Sequence, residues 1–276
     1  MTKISKRGTT KSGGQKHALD KFYTKPEIAQ FCIDKINLED YEIIIEPSAG
    51  SGSFSNLIKN VKAFDLEPEH ENIVKQDWFE YHHDSDPAEK VLVIGNPPFG
   101  QQNNLAIRFI NHAAEFATTI AFILPISFMK ESIQNRINRN FWLTDSFILP
   151  KKSFTLNNEE LDVPCVFQIW NFSDDCRTIE SIPVAKGFKF VKKEQEPDFY
   201  VQRVGGKAGT IGKDVPSRSE QSNYFIKALS KDDVNILFED FSRLVHPSKD
   251  YGVGPRSISK KEVLLELKEI GSKFVE

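Results

Sequence analysis

EKVLVIGNPPFG, residues 89–100, decides how this chain is read. Val91–Ile94 is apolar without alternation, the pattern of a strand covered on both faces in a parallel sheet. Asn96-Pro97-Pro98-Phe99 stops it. Consecutive prolines hold the backbone extended and leave carbonyls without local donors, free to accept from a ligand. Asn96 adds a side-chain carbonyl, and Phe99 offers a flat face to a planar base. Two fixed acceptors at the carboxyl end of a parallel strand can grip an exocyclic amino group and aim its nitrogen lone pair. The plain alternative is a turn beside a core phenylalanine.

Outward from this strand the chain alternates. YEIIIEPSAG (41–50), VKAFDLEP (61–68), ENIVKQD (71–77), TIAFILPISFM (119–129), TDSFILP (144–150) and DVPCVFQIWNF (162–172) read as six further strands. Helical spacing falls at 26–36, in SFSNLIKN (53–60), in NLAIRFINHAAEFA (104–117) and in ESIQNRINRNF (131–141). Such alternation implies an α/β fold, a seven-stranded mostly parallel sheet with helices on both faces. After about 177 the pattern changes. Residues 188–214 read as two strands around glycine-rich turns, SNYFIKAL (222–229) and 231–245 as helices, and Ser257 or Ser259 as the cap of a last helix. The expected division is a flexible basic tail over 1–17, a catalytic domain over 18–177 and a small C-terminal α+β appendage over 178–276.

EPSAGSGSF, residues 46–54, links a strand to a helix through glycines. Gly50 and Gly52 allow a tight turn and close approach of backbone to a ligand. The lysine of a phosphate-binding NTPase loop is absent. Glu46 instead ends the strand as an anion placed for a cationic or amino-bearing ligand, and a merely tight turn is the bland reading. Asp65 ends the next strand, where a carboxylate beside a glycine loop accepts both ribose hydroxyls. Glu67 can share that role. Asp77 stands at the third strand's end, able to accept from an adenine amino group, with Trp78 or Phe79 closing over the ring. Together these residues outline a nucleoside pocket next to a small subsite.

At these residues the chain resembles the class I S-adenosylmethionine-dependent methyltransferases, whose sheet is Rossmann-like, and among them the N6-adenine DNA methyltransferases. Glu46 to Gly52 match the family's glycine motif, with Ser48 and Ala49 inside it. Asn96 to Phe99 match its (D/N/S)PP(Y/F) motif, and Ile126-Ser127-Phe128 after Leu124-Pro125 resembles its LPxSF strand end. Phe22-Tyr23-Thr24-Lys25-Pro26 resembles the FYTP-like first motif, with Lys25 inserted. The resemblance covers about residues 20–173, in the gamma motif order. It implies S-adenosyl-L-methionine as cofactor, held by Phe22, Tyr23, Thr24, the glycine motif, Asp65, Asp77 and Trp78. It implies Asn96 and the Pro97 carbonyl on the target nitrogen, and Phe99 stacked on the target base. Phe154 is the candidate second clamp, with Lys151 and Lys152 near for phosphates. Arg203, Lys207 and Lys213 flank flexible glycines and are the candidate nucleic-acid contacts of the C-terminal region.

The implied reaction is methyl transfer to adenine N6 in a flipped-out base, with DNA favoured over RNA. Other readings stay open: adenine in RNA, a protein glutamine amide, cytosine N4, and a non-catalytic nucleic-acid binder with an idle cofactor site. A nicotinamide oxidoreductase would leave the Asn-Pro-Pro-Phe motif without a task. The net charge of −3 argues against a polyanion partner, although Lys3, Lys6, Arg7, Lys11 and Lys16 form an acid-free leader. Cys32, Cys165 and Cys176 have no metal-ligand spacing and read as free thiols in a reducing compartment. No metal is expected. No apolar run approaches a membrane span and no secretory signal is evident, so an intracellular site is expected, cytoplasmic, or nuclear in a eukaryote. A monomer or small oligomer is expected, with a partner subunit conceivable.

Overall fold

The computed structural model describes residues 22–84, 86, 89–157, 159–179, 181–246, 250–251 and 256–276, so the basic leader lies outside it. Contacts divide the chain into two units. One comprises residues up to Leu124 with Trp142–Phe172, the other Pro125–Phe141 with Ser173–Glu276. The expected break at 177 therefore differs: residues 125–141 and 173–177 go with the C-terminal residues. Arg177 donates to the carbonyls of Gln134 (3.1 Å) and Ile137 (3.0 Å), and Lys130 lies 3.6 Å from Glu262.

In the first unit the strands are β1 (Tyr23–Thr24), β2 (Ile43–Glu46), β3 (Lys62–Asp65), β4 (Val74–Lys75), β5 (Val91–Gly95), β6 (Thr119–Pro125), β7 (Phe141–Ile148), β8 (Phe154–Leu156), β9 (Glu159–Leu161) and β10 (Cys165–Phe172). All seven strands read from the sequence join one sheet, in the order β4-β3-β2-β5-β6-β10-β7. The pairs β2–β3, β2–β5, β3–β4 and β5–β6 are parallel. This is the doubly wound arrangement of dinucleotide-binding sheets, except that the last strand inserts before its predecessor. The order reverses direction between β2 and β5, the topological switch point, outside whose carboxyl ends ligands bind in such sheets.

Helix α1 (Pro26–Ile33) starts with proline at its first position, where no N–H is missed. Its Ile28, Ala29, Cys32 and Ile33 pack on Leu92, Ile94, Ala121, Ile123 and Phe167 of the sheet. Burial pushes the Cys32 and Cys165 thiols up, leaving both inert at neutral pH. Helix α2 (Asn104–Ala113) buries Ala106, Ile107, Phe109, Ile110 and Ala113. SFSNLIKN is not a helix but a run of turns, bounded by Gly52 (φ +89°) and Asn60 (φ +58°), which leave helical space at both ends. A separate antiparallel sheet, β1-β8-β9, holds the first motif by pairing Tyr23 with Thr155 and Thr24 with Phe154.

The second unit contains the short α3 (Glu131–Gln134), all that forms of the helix expected over 131–141, and an antiparallel sheet. Its strands are β11 (Phe188–Val191), β12 (Phe199–Gln202), β13 (Ile211–Gly212) and β14 (Asn223–Ala228), ordered β11-β14-β12-β13. SNYFIKAL, expected as a helix, is β14, a central strand paired on both edges. Helices α4 (Val234–Ser242) and α5 (Lys260–Glu269) complete a core around Phe188, Phe199, Ile226, Leu237 and Leu267. Ser259, not Ser257, caps α5, in a capping box whose return bond runs from the Ser259 N–H to Glu262. Among the described residues no helix is long and apolar enough to cross a membrane.

Ile226 is fully buried on β14. Ile226→Ala is expected to cost about 2–5 kcal/mol of stability in urea unfolding. An exposed helical Ile226 would cost under about 1 kcal/mol, and that result would overturn the strand.

Candidate active site

The loop after β2 is fastened from three sides. Gly50 (φ +54°) donates its N–H to Asp65 Oδ2 (2.8 Å), and Glu67 donates to Asp65 Oδ1 (2.8 Å). The Asp65 carboxylate thus spans loop and strand end and retains lone pairs for further donors. Ser53 Oγ donates to the Thr24 carbonyl (3.0 Å), and Tyr23 donates to Glu69, whose own N–H reaches the Gly50 carbonyl (3.1 Å). The first motif and the glycine motif are therefore one assembly. Beside them lies a cavity of about 260 Å³, lined by Tyr23, Thr24, Lys25, Gly52, Asn56 and Thr155 among others. Thr24 Oγ1 is buried with no hydrogen-bond partner among the described residues.

Glu46 does not stand open at the strand end. It is 1% exposed and accepts from the N–H groups of Ser55 (2.8 Å) and Phe54 (3.4 Å). Burial raises its carboxyl from the usual range to about 7, against the lowering effect of those bonds. Ser48 and Ala49 follow. Ala49 is buried and donates to the Phe64 carbonyl (2.9 Å), while Ser48 Oγ donates to the Asn96 carbonyl (3.3 Å).

That last bond joins the two loops of the switch point. Asn96 leaves β5 through Gly95, where an added Cβ would come within 3.4 Å of the Glu46 side chain. Asn96 Nδ2 donates to the Phe22 carbonyl (3.3 Å), which orients the amide. Its Oδ1 is buried and has no partner among the described residues. Pro97 is buried, Pro98 half-buried, and Phe99 half-buried with its ring 6.3 Å from Phe22. The result is an oriented acceptor and an aromatic face at the carboxyl end of a central strand.

Several expected site residues serve otherwise. Trp78 is a correction: it is 1% exposed, its indole N–H donates to the Phe109 carbonyl (3.3 Å), and it packs among Tyr81, Phe109, His112 and Phe116. No face is left for an adenine. Phe79 is half-buried, with the Arg108 guanidinium 4.2 Å from its ring centre. Asp77 Oδ1 accepts from the Phe79 N–H (2.9 Å), capping the short turn that follows. Phe154 is a second correction, fully buried in the core on β8 and no clamp for a base. Lys152 pairs with Glu160 (2.9 Å), which Lys25 also holds, so its charge is spent; Lys151 is exposed. Arg203 and Lys207 are exposed and belong to the second unit, after β12. Ser53, Ser55 and Glu69 do fastening that the sequence did not single out. Glu69 alone carried a signal, as one of the acids clustered after Asp65.

The family model of the EDM2 methyltransferase-like domain matches residues 27–172, which run from α1 through β10 and include both loops. The chain belongs to this family. The chain is 27% identical over 189 residues to Protein ENHANCED DOWNY MILDEW 2 of Arabidopsis thaliana. That match covers 59% of this chain and 14% of the Arabidopsis protein, so the chain spans about one seventh of that relative's length. Among solved structures it is similar to a Pyrococcus horikoshii protein assigned as an RNA methyltransferase (17% identity, 58% of this chain and 90% of the other, TM-score 0.44). It is also similar to the 23S rRNA methyltransferase ErmE (12% identity, 58% and 73%, TM-score 0.40).

The buried Glu46 has a consequence for pH. Its folded pKa of about 7 lies above the ordinary 4.5, so between those values the folded chain keeps a proton that the unfolded chain releases. The stability it contributes is complete below about pH 4.5 and is lost as pH rises through 7, by roughly 3 kcal/mol at about 1.4 kcal/mol per pH unit. Urea unfolding at pH 5 and pH 8 measures this, and Glu46→Gln is expected to flatten the slope. An unchanged slope in that variant would sink the assignment.

Proposed function

We propose that this methyltransferase-like domain transfers a methyl group from S-adenosyl-L-methionine to the exocyclic N6 amino group of adenine in DNA. The observation that carries the reading is Asn96, with Nδ2 committed to Phe22, its carbonyl to Ser48, and Oδ1 buried without a partner. A fixed, unsatisfied acceptor costs stability unless something donates to it, and an amino group does.

Asp65 accepts from the ribose hydroxyls of the cofactor and Asp77 from its adenine amino group. Tyr23 and Thr24 line the methionine end, where Thr24 Oγ1 has its spare hydrogen-bonding capacity. When bound, the cofactor supplies an electrophilic methyl on a sulfonium, which needs no metal. Asn96 Oδ1 and the Pro97 carbonyl accept the two N–H groups of the target, turning the nitrogen lone pair toward that methyl. Phe99 stacks on the base. Catalysis is then positioning and electrostatics, and the amino proton leaves to solvent after attack. A target in duplex DNA is flipped out, with stacking offsetting part of the unstacking cost.

Labelled-methyl transfer to unmethylated DNA, total RNA and protein, with mass analysis of the product, tests this. N6-methyladenine in DNA is expected, and Asn96→Ala is expected to lower the rate about 100-fold or more while cofactor affinity stays within about twofold. Label in RNA or protein alone would overturn the substrate. Cofactor binding with no transfer to any substrate would overturn the enzyme. By calorimetry, Asp65→Ala is expected to weaken cofactor binding at least about tenfold, whereas Trp78→Phe lowers stability and leaves that affinity unchanged.

A further inference from the structure

A second cavity lies within the C-terminal unit, where the chain leaves β11 and β12 and enters β14. It measures about 230 Å³ and is open-mouthed. Lys192, Arg203 and Lys260 line it, with Phe190, Tyr224 and Asn223. The three cations are exposed and form no ion pair among the described residues. By contrast Lys130, Lys261 and Arg256 of the same unit pair with Glu262, Glu131 and Asp250. Two of the three cavity cations rest on aromatic faces instead. Arg203 lies 5.4 Å and Lys260 5.6 Å from the Tyr224 ring centre, and Lys260 lies 4.8 Å from that of Phe190. Phe190 and Tyr224 meet edge to face at 5.7 Å. Among the described residues Glu220 is the one acid lining it, and its carboxylate already accepts from the Lys193 N–H (2.8 Å).

Asn223 gives the cavity a specific element. It is 7% exposed, its Nδ2 donates to the Ser219 carbonyl (2.8 Å), and the Oδ1 so oriented has no partner among the described residues. A buried acceptor without a donor is unfavourable, and a ligand N–H would satisfy it. Unpaired cations over stacking rings, with an acceptor beside them, match the chemistry of a nucleotide. The phosphate meets Lys192, Arg203 and Lys260, the base lies against Tyr224 and Phe190, and an N–H on the base edge meets Asn223. The volume is below that of pockets enclosing drug-sized ligands, and suits one nucleotide of a strand that runs on outside.

We infer that this cavity binds one nucleotide of a single-stranded nucleic acid. The inference does not rest on methyl transfer. It requires only that the chain hold a strand, with or without cofactor.

Fluorescence anisotropy of the full chain with labelled 12-nucleotide DNA and RNA strands, in low salt and without cofactor, tests it. Arg203→Ala with Lys260→Ala is expected to weaken binding at least about tenfold. It should also flatten the log–log salt dependence by about 0.7, the loss of one neutralised phosphate on a single strand. Tyr224→Ala is expected to weaken binding about tenfold with the salt slope kept, as loss of a stacking ring does. Lys231→Ala, outside the cavity, controls for general charge, and thermal melting checks that each variant is folded. Strand binding is read here without cofactor and methyl transfer by label, so failed transfer and failed strand binding are told apart. Equal loss on Lys231→Ala, unchanged binding in the double variant, or tighter capture of a phosphotyrosine peptide than of either strand would overturn the inference.

Discussion

Parallel pairing of Ile43–Ile45 on β2 with Val91–Val93 on β5 is the constraint to which the rest of the first unit answers. Both segments are apolar on every residue, so neither tolerates a solvated face and both must be interior. Neighbouring strands lie about 4.8 Å apart, so whatever follows their carboxyl ends is adjacent by construction. Glu46-Pro47-Ser48 and Asn96-Pro97 emerge side by side, and the Ser48–Asn96 bond is the direct consequence. Gly95 stands where the two strand ends are closest. An added Cβ would find room there, 3.4 Å from Glu46, but φ of +153° is costly for any residue with a Cβ.

Asn96 shows how such a frame fixes a polar side chain. An asparagine on a loop would ordinarily sample several rotamers, and holding one costs entropy at the moment of binding. Here the cost is met on folding. Phe22 takes the amide N–H, Ser48 takes the main-chain carbonyl, and the prolines that follow cannot rotate about φ. Phe22 stands beside β1, which β8 holds in place, so the acceptor depends on a strand pair far away in sequence. A preorganised dipole of this kind needs little reorganisation when charge moves, which is where most electrostatic catalysis comes from.

How much of this was legible in the sequence follows from where the deciding contacts lie. The seven strands of the central sheet could be read because doubly buried strands carry their own signal, apolar at every position and closed by proline, glycine or acid. SNYFIKAL carried no such signal. A short apolar run is ambiguous between helix and strand, and only its pairing with β11 and β12 resolves it. The positions of Asp65 and Asn96, at the end of β3 and just after β5, were legible from where those strands stop. Trp78 and Phe154 were misread for a different reason. Residue type says that an aromatic ring will bury area, but not whether a ligand or the core covers it. For Trp78 the answer lies with Phe109 and His112, about thirty positions on, and no local pattern contains it.

Charge behaves likewise. A net charge of −3 argues against a polyanion, the acid-free leader softens that objection, and Lys151 and Lys152 are the expected phosphate contacts near the first site. Pairing changes the reading of that site. Lys25 and Lys152 share Glu160, which they hold well below the usual carboxylate range, so neither is available to a phosphate without first giving up that partner. Lys192, Arg203 and Lys260 have no carboxylate partner among the described residues, and Arg203 and Lys260 lie over the Tyr224 and Phe190 rings. A polyanion gains from a cation in proportion to the charge left uncompensated, because only then are its own counterions released without an ion pair being broken. If the C-terminal cavity holds a strand as inferred, its affinity depends on these few groups at one end of the second sheet more than on the whole-chain charge.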